Sequence, residues 1–227
     1  MRRDPVLSLA LALVLAQAAA AALAPLVAPY GPNVQDILAR LQGPSRAHWL
    51  GTDNFGRDVL SRIVFGYRTL FAVSAGSVLG ALLAGGGLGV LAAWFGGLPD
   101  RIVMRLMDVL FAFPIILLAI GIIAVLGPSA ASTAIAIGVV YVPIFARTLR
   151  APALLLVGSE YVAAARAVGA GGPRILLRHV LPNLSPVILV QASLSLSTAI
   201  LVEASLSFLG LGTQPPTASL GRMLSES

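Results

Sequence analysis

Apolar blocks long enough to cross a lipid bilayer divide this sequence, and that pattern excludes most folds. The first runs from about Val6 to Ala28. About 20 such residues cover the roughly 30 Å hydrocarbon core. Four more blocks follow, near 70–95, 103–126, 130–147 and 186–209. In lipid a spanning segment must satisfy its own backbone hydrogen bonds, which predicts helices here. Only 11% of the 227 residues are charged, against about 25% in a soluble domain. The expectation is an all-α integral membrane protein. The first block has a competing reading as a signal peptide, because Arg2 and Arg3 precede an alanine-rich run. Signal peptides carry shorter apolar regions of about 7–15 residues, so a retained anchor over 1–28 is expected.

Several chemistries are absent from the sequence. With no cysteine there is no disulfide, thiolate metal site or cysteine nucleophile. His48 and His179 are too far apart in sequence to suggest a metal pair, and no metal ligands are expected. No glycine-rich phosphate loop occurs, so the chain is expected to carry no ATPase site of its own. All fifteen basic residues are arginine and the net charge is +6. These arginines lie between apolar blocks and form no single basic face, which argues against a nucleic-acid partner.

One polar island stands apart, from Gly158 to Asn183. Ser159 suits a helix N-cap, and Glu160 places negative charge at the positive end of the helix dipole. Ala163, Ala164 and Ala167 share a face with Glu160 at helical spacing, and their small side chains allow another surface to approach closely. Gly169 fits a left-handed C-cap. Pro173 suits the first turn of a second short helix, and Pro182 is expected to stop it. The stretch reads either as an ordinary hairpin between spans or as a docking element.

Elsewhere, residues 48–68 read as a glycine-punctuated turn entering an amphipathic interfacial helix. Asp53 and Asp58 are placed to cap it or to pair with Arg57 and Arg62. Gly76, Gly80, Gly85, Gly86, Gly87 and Gly89 form a small-residue face for close helix packing. Pro114 is expected to kink the third block. Arg105 and Asp108 have the spacing of a local ion pair. Glu203 lies in the last block, and two readings stay open. It faces a cavity or partner, or it reaches interfacial water at the end of the span.

Four motifs carry a resemblance. Glu160, Ala163, Ala164 and Gly169, followed by Ile175, His179 and Leu181-Pro182-Asn183, resemble the "EAA" loop of ABC-importer permeases. Leu50-Gly51-Thr52-Asp53 with Gly56-Arg57-Asp58 and Ser61-Arg62 is similar to the signature of the C-type permease in dipeptide, oligopeptide and nickel systems. Met104-Arg105, Asp108 and Ala112-Phe113-Pro114 match a third pattern, and Glu203 to Pro216 a fourth.

The resemblance implies the type I ABC-importer transmembrane fold, with an anchor at 1–28, an external segment at 29–68 and the transmembrane domain at 69–227. Family members continue past Leu224 into another span, so five of six spans are expected here. A cytoplasmic coupling loop is implied at 150–185, with Ser159, Glu160, Ala163, Ala164, Ala167 and Gly169 coupling to an ATPase subunit. Asp108 and Glu203 are the candidates for the translocation path. The implied partners are a homologous second permease, two ATPase subunits, an external solute-binding protein and membrane lipid. ATP and Mg would be bound by the ATPase partners, and no cofactor by this chain. The implied location is a bacterial or archaeal inner membrane, with the N-terminus cytoplasmic. Arg placement supports that orientation, apart from five arginines in the 29–68 segment. The alternative class is an ion-coupled secondary carrier, which would need more intramembrane ionisable residues and internal repeats.

Overall fold

The computed structural model describes residues 16–19 and 21–227. Among them every regular element is helical, and the one β-bridge, Thr52 to Asp58, is isolated. Most of the anchor expected at 1–28 lies outside the described residues. Its described part is helical at 16–19 and 21–22 and ends in α1, Ala24–Val27.

The long helices run further than hydropathy alone indicated. α2, Val59–Ala81, continues through a π-helical turn, Leu82–Gly86, into α3, Gly87–Phe95. Together they form one apolar helix of 37 residues, roughly 55 Å long and well beyond the hydrocarbon core. The interfacial helix expected before residue 70 is therefore the first turns of this element. Its start is fixed by Asp58, whose Oδ2 accepts the backbone N–H of Ser61 at 2.8 Å. That is an N-cap, and it satisfies a donor that the helix leaves free.

Glycines 96 and 97, both at positive φ, turn the chain into α4, Gly97–Phe111, which α5, Ile115–Leu126, follows. The two meet at 90°. Pro114 and its neighbours thus break the third block outright, and residues 103–126 do not form one straight helix. α6, Ala130–Val157, contains Pro143 and Pro152 without ending at either. α7 is Glu160–Ala167 and α8 is Gly172–Ile175. A second π turn, Leu176–Val180, leads directly into α9, Leu181–Phe208. α10, Leu220–Glu226, closes the chain.

Pro182 does not stop the helix, contrary to expectation. The π turn closes with the Leu181 N–H donating to the Leu176 carbonyl. Pro182, which has no N–H to give, then falls where the wide turn has just ended. Asn183 Nδ2 donates to the His179 carbonyl at 2.6 Å. Side-chain donors and π adjustments of this kind let apolar helices absorb proline. Gly172–Phe208 accordingly reads as another 37-residue apolar helix. Among the described residues three helices are long and apolar enough to span, or four if the bent α4–α5 pair counts as one.

The chain divides into two compact units. The first takes described residues up to Ser74, with Leu126–Thr133 and Ile200–Ser227; the second takes Ala75–Val125 and Ala134–Ala199. In the second, only some of the expected small face is used. A Cβ at Gly85 would overlap the Val142 carbonyl, and one at Gly89 the Ala146 carbonyl. Gly76, Gly80 and Gly87 face open space. Two glycines four apart therefore let α6 approach backbone to backbone, as in small-xxx-small packing. The core beside this contact is Val90, Ala93, Leu149, Ala153, Val162, Ile175, Val180 and Leu184.

Candidate functional site

The hairpin between α6 and α9 is built from a few local decisions. α6 ends at Val157, and Ser159 takes extended φ/ψ before α7. Ser159 does not cap α7 with its side chain; its hydroxyl donates back to the Leu156 carbonyl. That carbonyl, at the end of α6 where helical partners run out, also accepts the Ser159 N–H at 3.1 Å. Glu160 keeps its favourable place in the first turn of α7. At the other end Gly169 has φ +84°. Its N–H reaches the Arg166 carbonyl at 2.9 Å, and the Ala170 N–H reaches the Ala165 carbonyl at 3.0 Å. This pair of bonds is a Schellman cap, which needs the left-handed residue that glycine supplies without strain.

α7 is held by one face. Val162 is fully buried among Leu149, Ala153, Ile175 and Val180. Arg166 lies over the Trp94 ring at 4.9 Å, and Gly172 leaves room for the same indole. Glu160, Ala163, Ala164 and Ala167 all lie on the exposed side. The structure thus places these four together on one solvent-facing surface, with Gly169 at its end and Ser159 turned back toward α6. Sequence reasoning missed the anchor Val162 and the Arg166–Trp94 stack. The one branched side chain within an alanine-rich turn was the available signal for Val162.

Of the two ionisable candidates, Asp108 belongs to the second unit and Glu203 to the first. Asp108 pairs with Arg147, whose guanidinium also covers the Phe111 ring at 4.3 Å. The expected local pair with Arg105 does not form, since a cation from α6 reaches the carboxylate instead. A neighbouring pair missed by sequence reasoning is firmer. Arg150 Nε and Nη2 donate to both oxygens of Asp100 at 2.5 Å, the bidentate geometry that makes such pairs strong. Glu203 is 1% exposed, so it does not reach interfacial water. Its Oε1 accepts the Ser207 hydroxyl at 2.8 Å, and its buried Oε2 has no partner among the described residues. A cavity of about 780 Å³ in the second unit is walled by apolar residues such as Leu82, Trp94 and Leu177, and none of these carboxylates lines it.

Residues 85–227 match the family of binding-protein-dependent transport system inner membrane components. The chain belongs to this family. Among curated members it is 46% identical over 188 residues to the dipeptide transport system permease protein DppC of Alkalihalophilus pseudofirmus, covering 83% of this chain and 62% of that one. To the glutathione transport system permease protein GsiD of Pectobacterium atrosepticum it is 44% identical, covering 82% of this chain and 62% of that one. A putative peptide transport system permease protein of Brucella suis is 45% identical, with 90% and 69% covered. The chain thus spans about 62% of the length of the first two relatives. The inward-facing MetNI methionine ABC transporter contains a chain that superposes with TM-score 0.60 at 22% identity, covering 71% of this chain and 77% of that one. This inner-membrane component therefore shares the ABC-importer permease fold, as its motifs implied.

Proposed function

We propose that this chain is a membrane-spanning permease subunit of an ATP-driven importer for peptides or related solutes. Its curated relatives are dipeptide, glutathione and peptide permeases. In this reading it pairs with a homologous permease and two ATPase subunits, and an external solute-binding protein delivers the solute. The chain does no bond chemistry. ATP, with its Mg, is bound and hydrolysed by the ATPase partners. ATP binding closes those subunits and biases a two-state equilibrium between inward-open and outward-open arrangements.

The observation that carries the proposal is α7. It is a short helix anchored by Val162 and Arg166, capped at Gly169, and bare on its Glu160–Ala163–Ala164–Ala167 face. A rigid mount with a smooth exposed surface suits transmission of force from a docked partner. Gly169→Asp adds a Cβ where the backbone is left-handed, at a cost of roughly 1–2 kcal/mol, and adds charge at the docked surface. In the assembled importer the variant should stay in the membrane, yet lose ATPase copurification and solute-stimulated ATP hydrolysis. Glu160→Lys should weaken the association less. Wild-type copurification and uptake in both variants would reduce the stretch to an ordinary hairpin.

A further inference from the structure

The charges that this reading leaves unused gather in the first unit. Arg57, Arg62 and Arg222 line a cavity of about 230 Å³, with Glu226, Thr217 and Gln35 in its wall. Arg57 and Arg62 are 6% and 3% exposed. Arg57 Nε donates to Asp53 Oδ2 at 2.6 Å, and Arg222 Nε to Glu226 Oε1 at 2.7 Å. Glu226 Oε2 lies 4.0 Å from Arg57 Nη2. Arg62 Nη1 donates to the Pro32 carbonyl at 3.1 Å. Its Nε lies 3.5 Å from Asp53 Oδ2 in an ion pair but is buried without a hydrogen-bond partner. Among the described residues no other carboxylate lies within ion-pair distance of these guanidiniums. Three cations therefore share two anions around an enclosed space. A buried guanidinium left short of acceptors is costly, and an added anion would relieve that cost.

We propose that this cavity binds one carboxylate of a small solute, with Arg62 and Arg222 as its principal partners. A single negative charge balances the cluster, whereas a phosphate dianion would overshoot. The flat guanidinium fork matches a carboxylate's two oxygens. The space admits that group and the residue bearing it, and Thr217 and Gln35 add neutral polar residues to its lining. That the solute is a short peptide offering its C-terminal carboxylate rests on the peptide-importer reading above.

Saturation-transfer NMR on the protein in lipid nanodiscs tests this, with acetate, acetamide, dialanine and dialanine amide as probes. Acetate and dialanine should bind and compete, and the two amides should not. Arg62→Gln and Arg222→Gln should each weaken acetate binding roughly tenfold, as expected for one lost charge-assisted hydrogen bond. Glu226→Gln removes a competing anion and should tighten acetate binding several-fold, an effect that misfolding cannot imitate. Equal binding of acids and amides, or acetate binding that Glu226→Gln weakens, overturns the site. No acetate binding also overturns it and leaves the peptide-importer reading standing. Acetate binding with the predicted variant pattern, but none of dialanine, upholds the carboxylate site and overturns the peptide as its solute.

Discussion

Asp58 does several jobs with one carboxylate. It caps α2 through the Ser61 amide, accepts the Ser61 hydroxyl at 2.7 Å, and lies 2.9 Å from His48 Nδ1. Burial alone would raise its pKa, but the Ser61 hydroxyl and amide and the His48 ring outweigh that and hold it below the usual carboxylate range. Asp53 behaves likewise. Burial raises it, and the amides of Arg57 and Phe55 with the Arg57 guanidinium bring it below its ordinary value. A depressed folded-state pKa stabilises the fold above the unfolded value, near pH 4, and that contribution is lost as pH falls through the lowered values. Limited proteolysis of the 29–58 segment should therefore accelerate as pH drops below about 4. Asp58→Asn should be cut faster than wild type at pH 7 and should respond less to acid. An acid response equal to that of wild type would remove Asp58 from the account. At this scale the sequence told that Asp53 and Asp58 would cap or pair, because their partners are close by. It could not tell that Asp108 meets Arg147 or Asp100 meets Arg150, since those partners are 39 and 50 residues away.

Among the elements, hydropathy located the helices but misplaced their ends. The polar first turns of α2 lowered the apolar signal before residue 70, although an Asp cap and continuous backbone bonding carry the helix from Val59. One proline misled in the same direction. Pro182 was expected to stop a helix but follows a π turn that accommodates it, while Pro143, Pro152 and Pro186 also sit inside helices. The Gly169 cap was legible because its requirement is local. Which glycines of the small face bear weight was not, because that depends on where α6 lies. Gly85→Val in the π turn and Gly89→Val in α3 should force their contact with α6 apart, by clash with backbone that cannot swing aside. Overpacking of this kind costs typically 1–3 kcal/mol. Gly76→Val and Gly80→Val meet open space and should leave detergent-solubilised melting temperature nearly unchanged. Equal losses at all four positions would refute the assigned contact.

At the scale of the whole molecule, the proposed orientation puts α7 on the cytoplasmic side and the segment after α9 outside. Cysteine at Thr217 should react with an impermeant thiol reagent added to intact cells. Cysteine at Val168, also exposed, should react only after lysis. The reverse pattern would invert the topology. The central claim is that the exposed face of α7 is the ATPase docking surface, and a photo-crosslinking amino acid at Ala164 reads it most directly. In membranes containing the assembled importer, the account predicts a crosslink from position 164 to an ATPase subunit, strengthened by a non-hydrolysable ATP analogue, and none from position 224. A crosslink from Ala164 only to lipid or to the external binding protein would contradict it.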